Sequence, residues 1–241
     1  MQTFKLGATG IDVSAFCLGA MYFGSRTDPE TSVEILDQYV EAGGSFIDTA
    51  NIYARWVDGC QGGESELLLG EWMRQRSNRD ELVIASKVGF PAPVDDLDQG
   101  LRAEQIERAV EGSLSRLGVE TIDLYYAHVD DRTTPLAETL EAFHRLVSAG
   151  KVRWLGASNF TAWRMAQANT LATAAGWTPY CCIQQRYTYL RPAPSASFGA
   201  QLAVNEDLLD YCASEGVTLL AYSPLLSGAY TRPDRDFGSE Y

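Results

Sequence analysis

Histidine is scarce in this chain: His128 and His144 are the only two, too few for a histidine-rich metal centre. Cysteine is sparse too. Cys17, Cys60, Cys181, Cys182 and Cys212 make an odd number with no Cys-x-x-Cys pair, which argues against a disulfide scaffold and fits reduced thiols, two or three of them in core strands. Basic residues are outnumbered, 19 Lys and Arg against 32 Asp and Glu, for a formal net charge of −13. Such a chain repels nucleic acid and anionic membrane surfaces unless a basic patch intervenes, and no run of Lys or Arg supplies one. No apolar run reaches the roughly 18 residues of a membrane span. The opening Met1-Gln2-Thr3-Phe4-Lys5 lacks the basic-then-apolar pattern of a signal peptide. These absences lead to the expectation of a cytoplasmic protein with neither nucleic acid nor membrane as partner.

What remains is a globular composition: 241 residues, 46% hydrophobic and 21% charged, expected as one domain over 1–241. Short runs rich in Val, Ile, Leu and aromatics alternate with longer segments of helical period. Strands are predicted at 15–18, 45–48, 82–87, 122–126, 153–157, 181–185 and 217–222. Helices are predicted at 29–42, 65–76, 103–117, 135–149, 161–174 and 203–214. Asp28-Pro29 and Thr134-Pro135 each place a capping residue before a proline at a first helical position. Gly43-Gly44, Gly118 and Gly150 stand just past helix ends, where a left-handed residue is often required. Alternating strands and helices make a parallel sheet of the α/β class. An open dinucleotide-binding sheet would follow its first strand with Gly-x-Gly-x-x-Gly, and Gly19-Ala20-Met21-Tyr22-Phe23-Gly24 does not fit. A closed barrel is therefore favoured, with an N-terminal β-hairpin over residues 5–13, turning on Gly7-Ala8-Thr9-Gly10, to cover its bottom.

In such a barrel, functional residues gather where strands end. The predicted strand ends deliver Asp48 with Tyr53 just beyond, Ser86-Lys87, His128, Ser158-Asn159, Gln184-Gln185 and Tyr222-Ser223. Each has an ordinary explanation by itself: Asp48 can cap a loop, Tyr53 can pack, Ser158-Asn159 can cap the next helix. Together they make chemical sense. A phenol titrates near 10, and bringing it to about 7 requires roughly 4 kcal/mol of preference for the phenolate. A lysine ammonium within about 4 Å can supply most of that. A carboxylate behind the lysine keeps it charged and oriented. Asp48, Lys87 and Tyr53 thus read as a proton relay for carbonyl–alcohol interconversion, with His128 positioned to orient the substrate oxygen. The hydride would come from a bound carrier.

These residues sit in recognisable runs. Phe46-Ile47-Asp48-Thr49-Ala50-Asn51-Ile52-Tyr53, Gly63-Glu64-Ser65-Glu66, Ala85-Ser86-Lys87-Val88-Gly89 and Ile122-Asp123-Leu124-Tyr125-Tyr126-Ala127-His128 resemble signatures of the aldo-keto reductase superfamily. So do the run from Gly150 to Phe160 and Tyr222-Ser223-Pro224-Leu225. The resemblance is to the bacterial-type branch, with its insertion over 89–101. It implies a (β/α)8 TIM-type barrel and an NADP(H)-dependent enzyme, NAD being the second possibility, acting on a small-molecule aldehyde, ketone or alcohol. It implies Tyr53 as general acid and base, Asp48 and Lys87 as its tuning groups, and His128 on the substrate carbonyl. It further implies Ser158, Asn159 and Gln184 on the nicotinamide carboxamide, Tyr222 stacked on that ring, and Ser223 and Leu225 on the pyrophosphate side. Tyr22, Phe23, Trp56, Phe90 and Val129 are candidates for the substrate mouth, and the acidic 94–98 stretch reads as a solvated loop. Against the family pattern, helix 7, strand 8 and helix 8 are missing after Tyr241. Some members of the superfamily, such as potassium-channel β subunits, serve as regulatory partners, so a non-catalytic nicotinamide-binding protein on the same scaffold is the alternative reading.

Overall fold

The computed structural model describes residues 1–91 and 99–241, so the acidic 94–98 stretch lies outside the described residues. Two strands, β1 (Thr3–Lys5) and β2 (Asp12–Ser14), form an antiparallel hairpin. Seven more, β3 (Leu18–Gly19), β4 (Phe46–Asp48), β5 (Val83–Val88), β6 (Ile122–Ala127), β7 (Val152–Ser158), β8 (Tyr180–Arg186) and β9 (Thr218–Tyr222), make one parallel sheet in chain order. Six helices run between them: α1 (Pro29–Glu41), α2 (Glu64–Arg76), α3 (Ala103–Leu117), α4 (Leu136–Ser148), α5 (Ala162–Ala175) and α6 (Glu206–Glu215). The result is an α/β fold with a curled sheet. Among the described residues no strand pairs with the outer edge of β3 or of β9. No helix among them is long and apolar enough to cross a membrane.

Local chemistry accounts for several element ends. Asp28 caps α1 by accepting from Thr31 N at 2.9 Å, with Pro29 as the first helical residue. The apolar stripe Ile106, Ala109, Val110, Leu114 and Leu117 turns one face of α3 into the core, and Gly118 ends that helix at φ 64. The start of α4 differs from expectation. Pro135 itself holds the cap position with extended backbone, φ −54 and ψ 129. Thr134 donates its hydroxyl to Asp131 Oδ2 at 2.6 Å instead of capping the helix. The first parallel strand also lies later than predicted, at Leu18–Gly19 rather than 15–18, because Ser14 and Ala15 continue the hairpin and Ala15 N bonds Gln2 O at 2.8 Å.

The two-residue period of a strand divides the core in two. Outward residues Ile47, Ile84, Val88, Leu155, Ala157 and Ile183 join the helices in the larger cluster. Inward residues Phe46, Ala85, Leu124, Tyr126 and Cys182 form a second cluster inside the curl, closed from below by Leu6 and Val13 of the hairpin region. Gly7 seats this plug: its amide donates to Thr218 Oγ1 at 2.7 Å, and a Cβ there would lie 2.2 Å from Cys181 O. Gly156 is needed for the same reason, since its Cβ would stand 2.6 Å from the Tyr126 ring. Continuing the inward register by two residues from Phe46, Ala85, Tyr126 and Cys182 reaches Asp48, Lys87, His128 and Gln184. The alternation that fills the interior therefore aims these four side chains at one end of it.

Candidate active site

Lys87 is fully buried, and burial alone would drive off its proton. Three acceptors hold the charge in place. The ammonium forms an ion pair with Asp48, bonds Thr49 O at 2.8 Å and donates to Tyr53 OH at 2.8 Å. Desolvation works against the charge, but the Asp48 carboxylate and the Tyr53 oxygen overcome it and raise the Lys87 pKa. Asp48 also accepts from Gln184 Nε2 at 2.9 Å. Tyr53 lies on the turn after β4, anchored by its own amide to Ala50 O (3.2 Å) and by Gly63 N to its carbonyl (3.2 Å). Its hydroxyl is 3.5 Å from Asp48 Oδ1, and Lys87 Nζ stands 4.7 Å from its ring centre.

The direction of the tyrosine shift corrects the expectation drawn from the sequence. Tyr53 is pushed up to about 12, not down toward neutrality: burial is the largest influence, Lys87 lowers the value, and Asp48 raises it again. A lysine–tyrosine distance does not by itself reveal how much water the phenol has lost. His128 moves the opposite way. Burial first, then the Lys87 charge, holds it well below the ordinary histidine range, so the imidazole is neutral at physiological pH. Its ring is 6.1 Å from that of Tyr53 and 4.8 Å from that of Phe90, and its buried Nδ1 has no partner among the described residues.

Aromatic residues frame these groups. Trp56 lies edge-on to both Tyr53 and Tyr22, at 6.2 and 6.4 Å between centres. Val129 lines an adjoining groove of about 680 Å³ with Gly89, Asp131, Asn159 and Leu202. Phe23 does not belong to the mouth. It is buried in the outer core with Leu36 and Leu69, because the bend after β3 turns it toward the helices.

The residues expected to hold a nicotinamide divide into two kinds. Asn159 adopts left-handed backbone at φ 58 and spends its whole side chain on the protein. Its Nδ2 donates to His128 O (2.9 Å) and Ser158 Oγ (3.1 Å), while its Oδ1 accepts from Leu202 N (3.1 Å) and Tyr222 OH (2.8 Å). The helix-capping explanation of Ser158-Asn159 fails, because Thr161 occupies the cap of α5. Ser158 keeps a hydroxyl proton to give, and the Gln184 amide oxygen accepts from nothing among the described residues. One free donor and one free acceptor are what a primary carboxamide requires, so the residues present fit that group. Tyr222 is held upright by Asn159. Ser223 follows at φ 55, and Leu225 is 69% exposed.

Two residues that the sequence singles out without a role prove to be positioning residues. Glu66 of α2 is fully buried, accepts from Ser86 Oγ next to Lys87, and is neutralised by Arg116 at 2.7 Å. Gln185 takes Asn159 N at 2.9 Å and so fixes that residue's turn. The outward register of Ser86 and Gln185, beside strand-end site residues, was the available signal.

The sequence profile of the Aldo/keto reductase family matches residues 15–239. The chain is 37% identical to norsolorinic acid reductase stcV of Emericella nidulans over 92% of its own length and 56% of that protein. It is 36% identical to the oxidoreductase YrpG of Bacillus subtilis, over 95% of its length and 68% of that relative. Identity to an aryl-alcohol dehydrogenase [NADP(+)] of Phanerodontia chrysosporium is 32%, over 91% and 57%. The chain thus spans little more than half the length of these fungal relatives. A profile match across nearly all of the chain, and relatives of this identity, show that it belongs to the aldo/keto reductase family.

Proposed function

We propose that the chain is an oxidoreductase interconverting a small-molecule aldehyde or ketone and its alcohol, with NADP(H) as preferred partner and NAD as second choice. The observation that carries this reading is the 2.8 Å contact between a fully buried, positively charged Lys87 and the Tyr53 hydroxyl. The relatives' names, which include reductases and an NADP(+)-linked alcohol dehydrogenase, support the same class. A bound nicotinamide would supply or accept the hydride.

The chain's own groups do the rest. Tyr53, with its pKa pushed up to about 12, keeps its proton at neutral pH and is a ready general acid toward a carbonyl oxygen. The phenolate left behind would be met at once by the Lys87 ammonium, already in place at 2.8 Å, so no reorganisation is needed when that charge appears. Asp48 holds Lys87 charged and aimed. Neutral His128 serves as a hydrogen-bonding group rather than as a competing acid. Ser158 and Gln184 offer the donor and acceptor for a carboxamide, and Tyr222 offers a ring face. Tyr22, Trp56 and Phe90 shield the reacting oxygen from water.

The test is turnover. Purified protein mixed with NADPH and a panel of aldehydes and ketones should bleach the nicotinamide absorbance. Tyr53→Phe should cut the rate about a hundredfold to ten-thousandfold while leaving NADPH binding intact. A wild-type rate no higher than that of Tyr53→Phe would refute the reading.

A further inference from the structure

Where arginine is partly buried in this acidic chain, a carboxylate usually stands beside it. Arg79 (22% exposed) pairs with Asp123, Arg116 (27%) with Glu66, and Arg164 (11%) with Asp130. Arg186 breaks the pattern. It is half-buried, yet forms no ion pair among the described residues. All of its side-chain partners are neutral. Nη2 donates to Gln201 Oε1 at 2.7 Å and Nη1 to Tyr241 OH at 3.3 Å. Its guanidinium carbon lies 4.4 Å from the Phe198 ring centre and 5.7 Å from that of Tyr222. Its Nε is buried with no acceptor among the described residues.

The position matters as much as the missing charge. Arg186 closes β8, in the same inward register as Cys182 and Gln184, so it stands one step further toward the open end than the residue that bonds Asp48. Tyr222, itself bonded to Asn159, is its partner across to β9, and its backbone amide is fixed to Leu202 O at 3.1 Å. A guanidinium that has lost much of its water and gained no opposite charge is costly, unless a ligand supplies that charge. Its planar fork matches two oxygens of a phosphate or carboxylate. Phe198 and Gln201 hold that fork in place before any ligand arrives.

We propose that Arg186 is an oxyanion-binding residue at the mouth of this sheet, taking either the diphosphate bridge of the dinucleotide or a carboxylate carried by the carbonyl substrate. The proposal rests on the functional reading above and deepens it. Wild type, Arg186→Gln and Arg186→Lys, each checked by thermal melting, are titrated with inorganic pyrophosphate and with benzoate by calorimetry, and with NADPH by tryptophan fluorescence. Arg186→Gln should weaken the responsible anion about tenfold or more, and Arg186→Lys by less. Loss confined to pyrophosphate and NADPH assigns the cofactor diphosphate. Loss confined to benzoate, with a raised KM for a carboxybenzaldehyde but not for benzaldehyde, assigns the substrate. The proposal is overturned if wild type binds none of the three, or if Arg186→Gln matches it in all. Should Arg186→Gln not fold, equal affinities of Arg186→Lys and wild type overturn it instead. Tyr53-dependent turnover with anion binding indifferent to Arg186 would sink this inference alone, while Arg186-dependent anion binding without turnover would sink only the catalytic reading.

Discussion

The centre of the sheet and its last strand are built to different standards. Every residue of β6 is buried, and its neighbour β5 is buried from Ile84 to Val88. On β9 no residue is fully buried, and Ala221 is exposed. Asp48, Lys87 and His128 belong to the dense part, each gripped by several partners or by packed rings. Tyr222, Ser223 and Leu225 belong to the loose part, where Ser223, Leu226 and Ser227 all carry positive φ. The groups proposed to handle the proton sit where little can drift, with Ser158 and Gln184 beside them, whereas Tyr222, Ser223 and Leu225 stand where the sheet is loosely covered.

Four perturbations sharpen that contrast. Lys87→Met should be the most severe: it leaves Asp48 buried without its ammonium and should cost about 3–5 kcal/mol in chemical denaturation, with turnover falling about a thousandfold. Asp123→Asn, at the other end of β6, strips the carboxylate that Arg79 and Arg153 share, each at 2.7 Å. Because both arginines can turn toward water, a smaller loss of about 2–3 kcal/mol is expected by the same measurement. Next comes pH. With the Tyr53 pKa near 12, alcohol oxidation, which needs the phenolate, should rise about tenfold per pH unit between roughly 6 and 9. Carbonyl reduction, which needs the phenol, should stay flat over that range, and a profile sloping the other way would mean a different group carries the proton. Leu225→Ala, on the loose side, should change stability by less than about 0.5 kcal/mol, read as an unchanged melting temperature.

The sequence made the dense region readable for a definite reason. A buried strand must alternate, so placing Asp48, Lys87 and Gln184 at strand ends was enough to aim them together. The run 103–117 was read to its limits because its apolar stripe and Gly118 leave little choice. What could not be read depends on backbone geometry or on water. For Asn159 the sequence offers a helix cap or a carboxamide ligand, because nothing local announces a residue at φ 58 whose side-chain amide reaches Tyr222, far along the chain. The phenol shift was misjudged because the lysine is visible in the sequence and the lost solvent is not. Thr134 was misread because Asp131, three residues earlier, offers its hydroxyl a better acceptor than a helix start does.

The hairpin plug carries a consequence for traffic through the site. Leu6 and Tyr126 fill the space beneath Lys87 with apolar and aromatic bulk. On the proposed reading, hydrogen isotope would reach the Tyr53–Lys87 pair from the open end of the sheet, the side on which a substrate would sit. A bulky molecule seated among Tyr22, Trp56 and Phe90 would then slow that exchange, and the pair would keep the label it held when the visitor arrived.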